Sequence, residues 1–164
     1  MKIRTIGAIA VLVLTLGACG GGDDEKASKS LSASIMDSND ETFEVTQEQA
    51  DCVGDGFVEE IGTDKLVEYE VLKDDLSANE GIENVEMSED DAGSAADVML
   101  DCVDIKEVFT SSMGELPAEA KACFEENLTD DLMRGFLVAL FQGDEDGGTQ
   151  ELMTALTECM SAGG

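Results

Sequence analysis

The five cysteines have the most distinctive chemistry in this chain. A cysteine acts as a nucleophile through its thiolate, beside a base or a cation, and the chain has no histidine to serve as that base. No two cysteines have the C-x-x-C spacing of a thioredoxin-like redox site or a compact zinc cluster. We expect structural or modified cysteines, with a zinc site drawn from distant helices as the open alternative. They stand at Cys19, Cys52, Cys102, Cys123 and Cys159.

Adjacent carboxylates are the next candidates for chemistry. Acid–base catalysis needs two carboxyl groups at a fixed separation and in contrasting environments. With 38 acidic residues in the chain, adjacency alone carries almost no information. We interpret these pairs as solvated helix faces: Glu59 and Glu60, Asp74 and Asp75, Asp90 and Asp91.

The acidic segment 143–148 invites comparison with a calcium loop. Counted from Asp144, its sixth position is Thr149 rather than glycine and its twelfth is Ala155 rather than glutamate, so the EF-hand pattern fails. A solvated loop is the prediction, with a different kind of cation site left open. Ser111-Ser112 lacks G-x-S-x-G or S-x-x-K surroundings. No catalytic, cofactor-binding or metal site is therefore predicted.

The N-terminus has the pattern of a secretory signal. Lys2 and Arg4 precede an apolar run over residues 6–16, which as a helix would reach about 16 Å, too short to span a bilayer. A positive start, a short apolar segment and small residues before a cleavage point describe a signal peptide. Cleavage by an ordinary signal peptidase after Ala18 is one interpretation.

Residues Leu16-Gly17-Ala18-Cys19 resemble the lipobox of bacterial lipoproteins. The resemblance implies a signal peptide over 1–18, a diacylglyceryl group on the Cys19 sulfur, and further acylation, for example by palmitate, of the new amino terminus. It implies a lipid-anchored protein on the extracytoplasmic side of the cell membrane. If Cys19 carries lipid, the other four cysteines can pair, as suits an exported chain.

The charge of the chain is strongly negative, at −29. Loss of Lys2 and Arg4 with the signal peptide makes it −31. Because nucleic acids and anionic headgroups are bound through lysine and arginine, nucleic acid is excluded as a partner. The acidity indicates solubility, for example in a salty medium, or alternatively a surface that attracts cations or a basic partner.

The part after Cys19 divides into a tether and a helical domain. Residues 19–45 are rich in Gly, Ser, Asp and Lys, which predicts a flexible tether with a reach of about 25–30 Å. Residues 46–164 predict an all-α bundle of about six helices, with Thr46, Ser88 and Thr129 as N-caps and Gly143 as a terminator. The predicted helices cover residues 46–61, 63–76, 89–113, 118–128, 129–143 and 149–160.

A weak repeat relates residues 46–114 to residues 117–164. At an offset of 71 residues, Cys52 aligns with Cys123 and Leu66 with Leu137, and each half has a second cysteine in its last helix. Chance similarity of amphipathic helices is the alternative explanation. The repeat predicts the disulfides Cys52–Cys102 and Cys123–Cys159. A bridge between Cys102 and Cys123 is the main competitor.

Residues 46–160 also loosely resemble uncharacterised small helical lipoproteins of actinobacteria, which implies little beyond a cell-envelope location. Four methionines on apolar stripes are expected to fill the core, with a Met-lined groove as the alternative: Met99, Met133, Met153 and Met160. We expect a non-enzymatic binding or structural role, without a cofactor, toward an unknown envelope protein or small ligand. A carboxylate-based envelope hydrolase and a cation-binding surface protein are the alternatives.

Overall fold

The computed structural model describes residues 22–38, 45–79, 85–114, 116–144 and 148–162. Within these ranges the backbone is helical apart from its connections, and the pairing of extended backbone is one isolated bridge between Leu72 and Ala78. The predicted all-α class is confirmed. The described residues form α1 (Asp23–Asp37), α2 (Gln47–Glu60), α3 (Thr63–Glu68), α4 (Glu89–Cys102), α5 (Ile105–Ser112), α6 (Ala118–Asn127), α7 (Asp130–Phe141) and α8 (Thr149–Ala162).

Helix α1 lies inside the segment predicted to be a flexible tether, so that prediction is wrong over Asp23–Asp37. Three acidic residues occupy its first turn. Their negative charges interact favourably with the positive end of the helix dipole there. Ala27 and Leu31 are buried one turn apart, and Glu25 pairs with Lys29 across one turn at 2.5 Å. The helix is stable because it buries this face, as short helices require.

Helices α1 and α2 pack antiparallel through small and polar side chains. The Ser28 hydroxyl donates to the Asp55 carboxylate, and the Ser32 hydroxyl donates to that of Asp51 at 2.5 Å. At Gly54 of α2 the two backbones come so close that a Cβ atom would lie 2.6 Å from the carbonyl oxygen of Ser28. Glycine at this position therefore sets how closely α1 can approach.

The predicted long helix over 89–113 is two helices. Val103 is extended, with φ −131° and ψ 131°, which ends α4. The carboxylate of Asp104 then accepts a hydrogen bond from the backbone N–H of Glu107 at 2.9 Å and begins α5 as its N-cap. Aspartate competes well for this position, so the chain turns a corner at 103–104 instead of continuing straight.

Helix α3 ends at Glu68, not near residue 76 as predicted. Glu70 has a positive φ of 57° and donates its N–H to the Val67 carbonyl at 3.0 Å, while Val71 donates to the Leu66 carbonyl at 2.9 Å. This is the bonding pattern of a Schellman motif, with buried Leu66 and Val71 as its apolar contact. That contact outweighs the cost of a left-handed conformation at a residue other than glycine.

The predicted helix caps are present. Thr46 and Gln49 form a reciprocal capping box, with N–H···O distances of 3.3 and 2.9 Å. The hydroxyls of Ser88 and Thr129 accept from the third residues of α4 and α7. Gly143, at φ 70°, ends α7 in a second Schellman motif. Pro117 is the N-cap of α6, which begins at Ala118 as predicted.

Two apolar clusters hold the helices together. The first cluster lies around Phe57 and Leu66 and includes residues of all five helices from α1 through α5. The ring of Phe141 from α7 meets the Phe57 ring edge-on, with centroids 6.0 Å apart. The second joins α6, α7 and α8 around Phe124, whose side chain is fully buried. Ile105 packs against both clusters, so α5 and α7 connect the two parts of the core.

Replacing Gly54 by alanine tests the close approach of α1. Alanine is normally the better helix residue, but here the added Cβ must push α1 away from α2. Overpacking of this kind costs about 1–3 kcal/mol, so Gly54→Ala should lower the urea midpoint of unfolding.

Gly135→Ala in α7 is the matched control, because nothing lies within 4 Å of a Cβ built there. It should stabilise the protein by about 0.5–1 kcal/mol. If both substitutions raised the midpoint equally, the helix contact would not be as close as described.

Candidate functional site

A cleft of about 810 Å³ lies where α4 ends and where α5 and α7 begin. It combines apolar side chains with five aspartates and two cations. Because the two cations cannot balance the five carboxylates, the cleft has a negative charge. Its lining is Leu100, Val103 and Ile105; Asp97, Asp101, Asp104, Asp130 and Asp131; Lys106 and Arg134; and Cys102.

The break between α4 and α5 forms the cleft. A helix continuing past Cys102 would fill the space beside the start of α7. Instead, the extended Val103 buries its side chain and turns the chain, so that Ile105 lines the cleft. Asp104 is the N-cap of α5, and Asp130 is the first residue of α7. At both positions the positive end of the helix dipole stabilises a carboxylate.

Arg134 crosses from α7 to α4 and makes a two-pronged ion pair with Asp97. Its Nε and one terminal nitrogen donate to the two carboxylate oxygens at 2.6 and 3.0 Å. Gly93 of α4 makes room for it, since a Cβ there would lie 3.2 Å from the guanidinium. The Arg134 hydrogen bonds hold the pKa of Asp97 below its ordinary value.

Lys106 of α5 pairs with Asp130 of α7 at 2.6 Å. This ion pair and the Arg134–Asp97 pair both join the α4–α5 side of the cleft to α7. Asp101 is exposed and has no cationic partner within the described part of the chain. Asp101 is therefore one of the cleft carboxylates open to a ligand.

The cleft places an apolar surface beside carboxylates. A general acid needs a pKa raised toward neutrality, whereas the pKa of Asp97 is shifted downward. The sulfur that lines the cleft, Cys102, is held in a disulfide. The apolar lining together with Asp101 suits a ligand with an apolar body and a positive group.

The structure pairs Cys52 with Cys102, at a Cα–Cα distance of 5.6 Å, and Cys123 with Cys159, at 5.3 Å. These are the pairs predicted from the repeat, and Cys102 and Cys123 do not pair. The first disulfide ties α2 to the end of α4 beside the cleft, and the second ties α6 to α8. Cys19 lies outside the described residues.

Five of the six adjacent carboxylates are exposed, but Asp91 is buried, so the interpretation of a solvated face is wrong there. Only 6% of Asp91 is exposed. Its two oxygens accept from Lys65 Nζ at 2.8 and 3.0 Å, and one also accepts from the Tyr69 hydroxyl at 2.7 Å. The Ser88 hydroxyl donates at 2.9 Å.

Sequence reasoning missed this Asp91 cluster because adjacent acids looked alike. Hydrogen bonds from Lys65 and then from Tyr69 lower the pKa of Asp91 against the opposing effect of burial. Tyr69 is the single tyrosine of the chain and follows α3 directly as its C-cap. Its helical spacing from Leu66 indicated an apolar contact, not a hydrogen bond to a carboxylate. The cluster joins the end of α3 to the start of α4, so its role is structural.

The methionines divide into two groups. Met133 is buried and Met99 is half-buried, as expected of core residues. Met153 and Met160 are 54% and 55% exposed, so core filling is wrong for them. Helix α8 packs through Leu152 and Cys159 instead, which turns those two methionines to solvent.

The acidic loop and Ser111-Ser112 are the remaining candidates of the sequence analysis. Residues 145–147 of the acidic loop lie outside the described residues. The Ser111 hydroxyl donates to the Val108 carbonyl at 2.8 Å. Among the described residues, no three metal-ligating side chains come together as a metal site would require, and no helix is both long and apolar enough for a membrane span.

Comparison of the chain with protein-family models, with curated proteins and with solved structures gives no match.

Replacement of the buried Asp91 by asparagine should cost about 2 kcal/mol in the free energy of unfolding, since it removes charge-assisted hydrogen bonds from a buried group. Asp97→Asn is the matched control. Its ion pair is about half exposed on both sides and should cost less than about 1 kcal/mol.

The cost at Asp91 should depend on pH. Because the folded pKa of Asp91 lies below its ordinary value of 3.8, its stabilisation is complete above that value and is lost as the pH falls through the folded pKa. Wild type and Asp91→Asn should therefore converge in acid-titrated urea unfolding. A gap independent of pH would contradict an ionised Asp91.

Proposed function

We propose that this chain is a bacterial lipoprotein, held on the extracytoplasmic side of the membrane by lipid on Cys19, whose helical domain binds a ligand or partner. The observation that carries the anchor is Leu16-Gly17-Ala18-Cys19 at the end of an apolar run. Two or more acyl chains at one cysteine attach a protein stably, whereas one chain is marginal.

The pairing of the other cysteines supports this assignment. Four of the five form two disulfides within the helical domain, so Cys19 is the odd cysteine. An odd cysteine in an exported chain needs a separate role, and lipid attachment supplies one. Disulfides themselves suit an oxidising compartment outside the cytosol.

The cleft supports binding as the activity of the domain. Its apolar lining and the exposed Asp101 fit a small ligand or a partner side chain that combines an apolar surface with a positive group. A carboxylate-based hydrolase gains less support, because Asp97 and Asp130, two of the carboxylates that line the cleft, are both ion-paired.

We also propose that the domain contains two related halves, 46–114 and 117–164. Each disulfide joins the first helix of its half to a later one, and the aligned Leu66 and Leu137 are both buried. The middle helices differ, because α3 has 6 residues and α7 has 12. The longer α7 packs on α4, which joins the halves.

Cys19→Ala tests the anchor. Without its sulfur the chain cannot receive the diacylglyceryl group, so the variant should leave the membrane fraction and the detergent phase in a Triton X-114 partition. Mass spectrometry of the wild-type N-terminal peptide should show a blocked, acylated Cys19.

The double variant Cys52→Ala, Cys102→Ala is the control, because it removes two other cysteines, which form a disulfide, and leaves Cys19. It should stay in the detergent phase. Wild-type protein that carries a free Cys19 thiol, or Cys19→Ala protein that partitions like wild type, would contradict the proposal.

A further inference from the structure

Four helices, α1, α2, α4 and α7, pack side by side in alternating directions. Ser28 meets Asp55 and Ser32 meets Asp51, so α1 and α2 are antiparallel. The Cys52–Cys102 disulfide places the start of α2 beside the end of α4, and Gly56 lies against Val98. Helices α2 and α4 are therefore antiparallel too.

Helix α7 continues the alternation. Its Arg134 binds Asp97, and the carbonyl of Phe141, at its end, accepts from the N–H of Met87, just before α4. The ends of these four helices therefore lie at two opposite ends of the bundle. The start of α1 lies at one end, and the cleft, where α4 ends and α7 begins, lies at the other.

The segment after α3 closes the end at which α1 starts. The Thr63 hydroxyl donates to the Asp24 carboxylate at 2.7 Å, and Lys26 Nζ donates to the Asp75 carbonyl at 2.6 Å. The Ala78 N–H donates to the Ser30 hydroxyl at 2.7 Å. We call this end, formed by residues 23–26 and 63–79, the α1 end.

The α1 end is only four residues from Cys19. Helix α1 begins at Asp23, and four residues of fully extended chain span at most about 14 Å. The first ordered turn thus cannot move far from a lipid attached at Cys19. The predicted reach of 25–30 Å for a tether over 19–45 is no longer available to the domain.

We propose that the α1 end is the part of the domain nearest the membrane surface, with the cleft facing away from the lipid. This rests on the proposed lipid anchor at Cys19. Helix α4 has 14 residues and is about 21 Å long, so the cleft lies roughly two and a half Debye lengths beyond the α1 end at physiological salt. A ligand or partner would reach the cleft from the aqueous side.

Energy transfer from single tryptophans tests this orientation, since the chain has no native tryptophan. Asp74→Trp places the donor at the α1 end, and Glu48→Trp places it at the opposite end, in the first turn of α2. Both positions are exposed acids, so the change in charge is matched. Lipidated protein is reconstituted into phosphatidylcholine vesicles that contain a dansyl-labelled headgroup, in 0.15 M salt.

Transfer should be several-fold stronger from Asp74→Trp than from Glu48→Trp. Insertion of twenty Gly and Ser residues after Gly22 should bring the two values together, because the domain is then free to turn. Equal transfer from vesicle-bound protein without the insertion, or stronger transfer from Glu48→Trp, would overturn the orientation alone. Protein that does not float with the vesicles would overturn the anchor and the orientation together.

Discussion

The contact of α1 with Gly54 determines where the folded domain begins. A side chain at position 54 would collide with the carbonyl of Ser28, so the absence of a Cβ allows the two helices to meet closely. Ser28 and Ser32 then reach the carboxylates of α2. Because α1 starts at Asp23, four residues after Cys19, a force on a lipid attached at Cys19 would act directly on α1.

The rest of the first half depends on α2 and α4, to which α1 is attached. One covalent link and one partly buried ion pair hold opposite ends of α4: the Cys52–Cys102 disulfide at its end, and the Asp91 cluster at its start. Helix α4 is therefore held at both ends. The cleft lies beside the end of α4, and Arg134 and Asp130 of α7 line its other side and form ion pairs with α4 and α5.

Local signals made part of this structure predictable. The all-α class, the capping box at Thr46 and the stop at Gly143 follow from nearest-neighbour chemistry, and a faint repeat was enough to predict the cysteine pairs.

The features that the sequence did not predict depend on tertiary contacts. Glu70 adopts a left-handed conformation to bury Val71, and Asp91 looks like its exposed neighbour Asp90 until Lys65 and Tyr69 reach it. Helix α1 was missed because serines form much of its buried face, and serine indicates a linker when partners are unknown. The cleft needs the corner at Val103, which no periodicity shows.

Amide hydrogen exchange across α1 tests the central claim most directly, in the full mature chain at neutral pH. If α1 is part of the fold, the N–H groups of its central turns, around Ala27 to Leu31, should be protected by several orders of magnitude. They should also lose protection together with those of α2 as urea is added, since contiguous cooperative units open together. Exchange of α1 at the rate of an unfolded peptide, while α2 stays protected, would contradict the account and restore the long tether predicted for residues 19–45.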